Sequence, residues 1–585
     1  MSLEDYGTYQ GFGEASDPGL SIAAPGAAVL PRLDRQTLCD ALRRLPPEEL
    51  DVALRLKQVP LVNLPGLKLL AACGEPALDD AIARNLKVVA YAEAQDLIAA
   101  ARAVHGSHLL AEATHGLARR RPEASASRRL TPRQTGWALV LLAIAVAASA
   151  VLPFSVSWAI VSTLSGLFFL SVVALRVLCL MAPLPSTIIR PDPIPDEALP
   201  FYSVLVPLFR ETSVLRQLLG ALSNLDYPRA KLDIKLILEE NDMLMQRAVA
   251  GLRLPAEFEV IVVPAGKPQT KPRALNFALP FCRGSLLTIY DAEDIPDPDQ
   301  LRKAAEAFAF SGPEVACLQA QLTFYNPDEN WLTRNFMIEY AVLFGVLLPV
   351  LANHRLPLLL GGTSNHFRTS ILREIGAWDP FNVTEDADLG LRLARSGYDT
   401  ATLDSLTLEE ANPHLVNWLK QRARWLKGFL ATWLVHMRHP WRFMQEVGPA
   451  GFWAAQAMTL GVFASSLLHP FCIAGTVVLY LLYPTLPEGA GPGMAAVAGL
   501  NLFVLVAGYG LSIAAGRKAL RLRGIRGWAV TLATMPAYWM LMSVAAWYAL
   551  WQFIAAPFHW NKTEHGISKQ QRAKLRQRDE AEQPH

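Results

Sequence analysis

Residues 381–399, FNVTEDADLGLRLARSGYD, and residues 412–429, NPHLVNWLKQRARWLKGF, set the reading of the chain. Glu385 and Asp386 stand where Thr384 opens a pattern that predicts a short amphipathic helix. Leu389, Leu391 and Leu393 are set there around Arg392 and Arg395. In the second piece Gln421, Arg424 and Trp425 fall at i, i+3 and i+4, so they share one face of a second helix. A carboxylate pair facing an amide, a guanidinium and an indole suits a sugar bound beside a phosphate leaving group. The same residues also read as an N-capped surface helix followed by an ordinary amphipathic one. The upstream sequence decides between these readings.

Residues 195–440 alternate strand-like and helical patterns: YSVLVPL, SVLRQLLGALSNL, IKLILEE, FEVIVVPAG, PRALNFALPF, SLLTIYDAED and QLRKAAEAFAFSG. That rhythm predicts an α/β fold on a doubly wound parallel sheet, whose ligands gather at the carboxyl ends of strands. The acidic residues lie at those ends. Pro207, Phe209 and Glu211 follow the first core strand, and Glu239 closes the second. Lys271 comes next, in TKPRALN, and then Asp291 and Glu293 close an apolar strand. The last two alternate with Ala292, so both carboxylates can face one way. Hard oxygens at that spacing suit Mg²⁺ or Mn²⁺, completed by substrate phosphates and water. An Asp-x-Glu pair alone is most often two surface acids at a strand end. Within this block NWLTRNFMIEYAVLFGVLLPVLANH is apolar but carries Arg334 and Glu339, and it reads as a helix lying on a membrane surface.

Outside residues 195–440 the apolar residues come in blocks. The chain has 585 residues, more than one core can use, with 52% hydrophobic residues and a net charge of +2 that points to no nucleic acid. Its six cysteines are scattered without CxxC, so neither a zinc site nor a disulfide framework is expected, in keeping with cytosolic soluble parts. No cleavable signal peptide is expected, since the first residues lack a basic segment followed by an apolar one. Residues 134–175 carry no formal charge. A spanning helix needs about 20 apolar residues, so residues 134–182 predict a transmembrane hairpin turning at Leu152-Pro153. Arginines at 119, 120, 121, 128, 129 and 133 precede it, and Arg176 and Arg190 follow, which places both of its ends in the cytosol. Residues 447–516 predict a second hairpin, followed by five basic residues. A further crossing by residues 527–557 would put the basic tail outside, so that stretch is expected to lie at the interface or re-enter. The alternative is a break of the earlier block at His469-Pro470.

Residues 1–35, rich in Gly, Ala and Pro, are expected to be flexible, and residues 116–133 to be a basic linker. Between them, residues 36–115 predict a small α/β domain: a helical LCDALRRLPPEELDVALRLK, strands VPLVNL and LKLLAAC, a helix in PALDDAIARN, a strand LKVVAYA and a helix in AEAQDLIAAARAVHG. This segment resembles the second half of the N-terminal domain of type II secretion ATPases, a module that some relatives use to bind cyclic di-GMP. The Arg-Leu-Gly signature of the nucleotide-binding members is not evident, so a docking or degenerate regulatory domain is expected over an active sensor.

The ordered set Pro207/Phe209/Glu211, Glu239, Lys271, Asp291/Glu293, Thr384-Glu385-Asp386 and Gln421/Arg424/Trp425 resembles family 2 glycosyltransferases. It is most similar to the membrane-integrated processive synthases of cellulose, curdlan, hyaluronan and related exopolysaccharides. The resemblance implies a cytosolic GT-A (Rossmann-like) domain inserted between transmembrane helices of a bacterial inner membrane, with both termini cytosolic. A UDP-sugar would be the donor and a growing β-linked polysaccharide the acceptor, with inversion. It also implies roles. Pro207, Phe209, Glu211 and Glu239 would line the nucleoside pocket, Lys271 would sit by the donor phosphates, and Asp291 and Glu293 would ligate the metal. Asp386 would be the general base, with Glu385 beside it. Gln421 and Arg424 would hold diphosphate or acceptor, and Trp425 would stack on the acceptor sugar. The chain departs from the family in Asp-x-Glu for Asp-x-Asp, and in Glu239 where Asp is commoner. FHWNKTEHG, residues 558–566, resembles the gating loop of cellulose synthases. Four crossings make a thin channel, which implies an export partner or a homo-oligomer. Two other readings remain: a non-processive lipid glycosyltransferase, and an inactive membrane receptor or scaffold.

Overall fold

The computed structural model describes residues 30–64, 67–84, 86–183, 193–482, 492–556 and 568. At its centre is an eight-stranded sheet formed by β4 (Tyr202–Leu208), β5 (Leu232–Glu239), β6 (Phe258–Val263), β7 (Leu286–Ile289), β8 (Ile295–Pro296), β9 (Val315–Phe324), β10 (Asn365–Arg368) and β11 (Asp399–Glu409). The order is β6-β5-β4-β7-β10-β9-β11-β8. β6, β5, β4 and β7 are mutually parallel, but β10 runs antiparallel to both β7 and β9, and β8 antiparallel to β11. The sheet is therefore mixed, not wholly parallel. The connection from β9 explains the change. The helical excursion Trp331–Asn353 leaves the end of β9, and the chain must come back into the sheet beside it, so β10 runs the other way. That excursion begins and ends at the carboxyl edge, where the acids are.

Both sheet faces are buried, as the continuous apolar strands require. Val204, Val206, Leu236 and Leu238 face one core, with the helices Leu215–Ser223, Met243–Ala250 and Gln300–Phe310 supplying its apolar partners. The alternating residues Leu205, Ile237 and Ile261 face the other core, and the N-terminal unit fills it.

That unit has helices Arg35–Arg43 and Pro47–Leu56, parted at Pro46, and a sheet of β1 (Gln58–Leu64), β2 (Leu67–Cys73) and β3 (Val88–Ala92). A 27-residue helix, Ala94–Arg120, follows and runs well into the stretch expected to be a linker. Leu38, Leu42, Leu97 and Ala101 pack in one core with Ile261, Leu275 and Phe277 of the central domain. Lys57 joins a buried charge cluster at the same contact. Its Nζ lies 3.3 Å from Asp233 Oδ1 and also meets Glu259, while Lys235 Nζ donates to Asp233 at 2.7 Å. None of these four side chains is more than 8% exposed.

Among the described residues, five helices are long and apolar enough to cross a membrane: Pro132–Val151, Ala159–Met181, Trp331–Asn353, Pro440–Gly475 and Ala495–Leu522. The first buries none of its apolar length in the protein and exposes Trp137, Leu139, Leu141, Leu142 and Ile144. A bare apolar face of that size needs lipid around it. Pro153 caps the next helix, Phe154–Met181. Trp331–Asn353 is instead two-thirds buried within the protein. Its Glu339, which reads in the sequence as a surface-lying polar residue, accepts from both Arg422 guanidinium nitrogens at 2.8 and 2.7 Å and from Tyr538 Oη at 2.8 Å. Further on, the chain bends at Gly448, where φ is +74°, and not at Pro470, which lies inside the helix Val462–Leu482.

Candidate active site

Four parallel strands deliver their ends to one edge. After β4, Phe209 lies under the Arg210 guanidinium, 4.9 Å from ring centre to Cζ, and Glu211 Oε2 accepts from Phe209 N at 3.4 Å. Arg210 takes a left-handed backbone (φ +56°), and its N donates to Asp242 Oδ2 at 2.6 Å. Asp242 also caps the helix Met243–Ala250, so the loops after β4 and β5 are tied together. Glu239, the last residue of β5, accepts from Arg273 Nη2 at 2.6 Å; burial raises its carboxyl despite that guanidinium. Pro207 sits in β4 one residue before its end.

Lys271 is the first residue of the helix Lys271–Ala278. Its Nζ donates to Asp291 and, at 2.7 Å, to Gly362 O. Burial works against its charge, but Asp291, Glu385 and Asp386 outweigh burial and keep the ammonium protonated. The segment GGTSNH, residues 361–366, builds the floor of the site. Thr363 Oγ1 donates to Asp294, and Asp294 Oδ2 accepts Asp291 N at 2.7 Å. A Cβ on Gly362 would come 3.3 Å from Asp386 Oδ2 and 3.9 Å from Lys271 Nζ. The Gly362 backbone thus lies close to both the Asp386 carboxylate and the Lys271 ammonium.

Glu385 and Asp386 open the helix Glu385–Arg395, whose positive end favours their charge. Asp386 Oδ1 accepts from Ala387 N at 2.8 Å. Burial, reinforced by Asp386, pushes Glu385 up to about 8, and burial also raises Asp386. Two groups hold this helix in place. Asp388, fully buried, accepts from Arg392 Nε at 2.7 Å and pairs with His436 Nε2 at 3.1 Å. Thr384 packs against Gly428, where a Cβ would meet Thr384 Cγ2 at 2.3 Å. Gly428 therefore lets the helix Leu415–His436 approach the acidic loop.

That helix presents the remaining predicted residues. Gln421 is 9% exposed, and among the described residues nothing bonds to its Oε1. Arg424 lies in the field of Glu385, Asp291, Asp386 and Glu293. Trp425 stacks on Tyr340 with centroids 6.2 Å apart, and Arg422 Cζ sits 4.6 Å over its ring. The structure thus gathers Lys271, Asp291, Glu293, Glu385, Asp386 and Arg424 at one electrostatic centre. Burial and neighbouring acids push Asp294 and Glu409 far above the usual carboxylate range. Carboxylates outnumber cations, which suits a site completed by a further cation. No group of three His, Cys, Asp or Glu side chains poised for one ion occurs among the described residues. As two oxygen ligands, Asp291 and Glu293 would leave a hard divalent ion to be completed by phosphate oxygens and water. Residues 558–566 lie outside the described residues. Just beyond them Ser568 N donates to Glu410 Oε1 at 2.7 Å, next to the end of β11.

Residues 286–560 match the family model described as glycosyl transferase family group 2, a span that covers the acidic strand end, the Glu385–Asp386 helix and the helix of Gln421, Arg424 and Trp425. Residues 286–560 are thus similar to a family 2 glycosyltransferase domain. Glucomannan 4-beta-mannosyltransferase 1 of Oryza sativa subsp. japonica is 25% identical over 41% of this chain and 49% of its own length. Beta-monoglucosyldiacylglycerol synthase of Trichormus variabilis is 26% identical over 40% of this chain and 49% of its own length. The chain thus spans about half the length of these curated relatives. Among solved structures, a mannosyltransferase from Pyrobaculum calidifontis in complex with GDP-Man and Mn²⁺ is 18% identical, covers 60% of this chain and 96% of its own, and has a TM-score of 0.36.

The matched span takes in β7 to β11 of the mixed sheet, with the acids at its carboxyl edge. Several residues of the site escape the sequence reading. Arg273 sits two positions from Lys271, and Asp294 directly follows Glu293, but nothing in their spacing separates them from surface charges. Glu409 ends β11 far along the chain. Asp388 and Arg392 did carry a signal, an acid and a base at i and i+4 on an apolar helix.

Proposed function

We propose that the protein transfers a hexose from a UDP-sugar to a growing β-linked exopolysaccharide at a bacterial inner membrane, with inversion at the anomeric carbon. The observation that carries this reading is the placement of the Gly362 backbone close to both Lys271 and Asp386, with Asp291 bonded to the same ammonium. Diphosphate already activates the donor, so the protein must steady the leaving charge, align an acceptor hydroxyl and remove its proton. Lys271 and Arg424 supply fixed positive charge beside the diphosphate. A divalent ion, Mg²⁺ or Mn²⁺, on Asp291 and Glu293 would add Lewis-acid neutralisation of that same charge. Asp386 takes the proton from the acceptor hydroxyl, a step worth about 10²–10⁴-fold. Burial and the adjacent Asp386 raise the Glu385 carboxyl, so it gives up its proton less readily than an exposed glutamate. Phe209, Glu211, Glu239 and Pro207 face the nucleoside, Gln421 meets the diphosphate or acceptor, and Trp425 offers the acceptor sugar an aromatic face. The active site and both termini would be cytosolic, with an export partner or a second copy completing a path for the polymer. The N-terminal unit would act in regulation or docking, cyclic di-GMP being one ligand class to try.

A second reading, transfer of one sugar to a lipid, draws support from the relative named as a glucosyldiacylglycerol synthase. Radiolabelled UDP-glucose, UDP-galactose, UDP-GlcNAc and UDP-glucuronate, offered to the purified protein in lipid with Mg²⁺ or Mn²⁺, separate the two by product size. A high-molecular-weight polymer from one donor supports the synthase. A labelled lipid replaces it with the second reading, and no transfer from any donor leaves a membrane scaffold.

A further inference from the structure

In the helix Ala94–Arg120, Arg102, Gly106, Leu110 and Ala113 fall at i, i+4, i+8 and i+11, and so share one face. Each of them meets an element that carries Glu239 or Lys271, or the loop between the two. Arg102 pairs with Glu240, the residue after β5. Gly106 lies against Pro264, whose Cγ would be 3.9 Å from a Cβ added there. A Cβ added at Gly266 would come 3.2 Å from Leu110 Cδ2 and 2.8 Å from Arg273 Nη1, so the leucine and the guanidinium flank one spot on the backbone. Ala113 O accepts from Asn276 Nδ2 at 3.0 Å, in the helix Lys271–Ala278. The N-terminal unit thus lays one helix along the loops after β5 and β6 and along the helix that Lys271 opens.

Arg273 is where these elements converge. It is fully buried, and its Nη2 donates to Glu239 Oε2 at 2.6 Å, while Nε and Nη1 have no hydrogen-bond partner. A buried guanidinium tied to one carboxylate depends on the packing around it to keep its geometry. The loops beside it are bound together. Asn241 and Gln269 exchange bonds of 3.1 and 2.9 Å, and Glu240 Oε2 accepts from Ala265 N at 2.9 Å. A displacement of the helix Ala94–Arg120 therefore reaches Glu239 through both the loops and Arg273.

We propose that Arg273 is a positioning residue for the donor base, acting through Glu239, and that the helix Ala94–Arg120 sets how firmly it acts. The inference rests on the reading of Glu239 as part of the nucleoside pocket. Uracil presents an imide N–H, which a carboxylate accepts, whereas cytosine presents a bare ring nitrogen there and is repelled. Arg273 holds one oxygen of Glu239, so the acceptor keeps its place and the hydrogen bond selects the base. The N-terminal unit then governs donor affinity without touching the Asp386 base.

The test is binding of UDP and of CDP, each with Mn²⁺, to the full chain in detergent, read by titration calorimetry with no sugar to transfer. An unaltered protein that binds neither nucleotide, or both equally, would remove Glu239 from the base pocket, and the inference would fall with that reading. A preference for UDP that every variant keeps would sink the inference alone. R273K keeps a cation but loses the fork, and should weaken UDP about 10-fold with little change for CDP. L110A and R102Q leave Arg273 in place and should narrow the preference in the same direction by less. They decide the matter if R273K does not fold. R84Q alters an exposed arginine of the same unit that pairs with Asp80, and should bind both nucleotides as the unaltered protein does. Equal loss of UDP and CDP in R273K would make Arg273 a general prop and overturn its role at the base. An unchanged preference in both L110A and R102Q would overturn the role of the helix.

Discussion

Glu385 is costly to the fold it serves. Its carboxyl titrates near 8 in the folded protein, first because it is buried and then because Asp386 is adjacent, against 4.5 as the ordinary value. Between those values the folded chain holds a proton that the unfolded chain has released. Stability contributed by this group is therefore full below 4.5, falls as pH rises towards 8, and is level above. E385Q should remove that slope: its melting temperature should match the unaltered protein near about pH 5 and exceed it near about pH 9, as scanning calorimetry in detergent would read. Equal melting curves at both values would mean that the carboxyl is not strained. For Asp386 the expectation concerns turnover. D386N should keep donor affinity while losing about 10²–10⁴-fold in rate, and near-normal turnover would remove it as the base. Glu385 and Asp386 stood out in the sequence through the resemblance of the whole ordered series to family 2 glycosyltransferases, and the structure brings them near Lys271 and Arg424. Arg273, Asp294 and Glu409 did not, since their importance lies in burial, which a single sequence does not display.

At the scale of elements, the pairing of Trp331–Asn353 with Leu415–His436 is the contact most open to test. Arg422 is 1% exposed and is neutralised by Glu339, which is the residue that made the first helix read as interfacial. Glu339 itself is 36% exposed, but without it the buried Arg422 guanidinium loses both of its bonds to that carboxylate. Glu339→Ala should therefore lower the melting point markedly, whereas Glu339→Ala combined with Arg422→Met should recover much of the loss. No recovery in the double variant would show that the charge pair is not the cause. The sequence did not reveal this contact because one acid on an apolar helix is as compatible with a membrane surface as with a guanidinium deep in the fold. The strand β10 was hidden for a related reason. It has four residues, three of them polar, and follows glycines, so period-2 reasoning had nothing to count. The long apolar strands β4 and β5 were plain because both faces are buried.

Across the whole molecule the N-terminal unit reads in the sequence as separate, yet it shares a core with the glycosyltransferase sheet. Its own period was readable, but the partner of its apolar face lies far along the chain and leaves no local trace. Deleting residues 1–115 should strip Ile261, Leu275 and Phe277 of cover and leave Asp233, Lys235 and Glu259 without Lys57. The truncated chain should aggregate during extraction instead of yielding an active remainder, as size-exclusion profiles in detergent would show. A monodisperse, active truncation would make the unit a detachable accessory. The Lys57–Asp233 contact has a further consequence, which concerns the order of synthesis. The two residues stand 176 apart, and at about 5–20 residues per second the ribosome needs roughly 9–35 s to make the second after the first. Through that interval the earliest part of the chain waits with its apolar face bare, while the helices Pro132–Val151 and Phe154–Met181 emerge and enter the bilayer. The speed of translation across that stretch thus becomes a determinant of how much protein reaches the folded state.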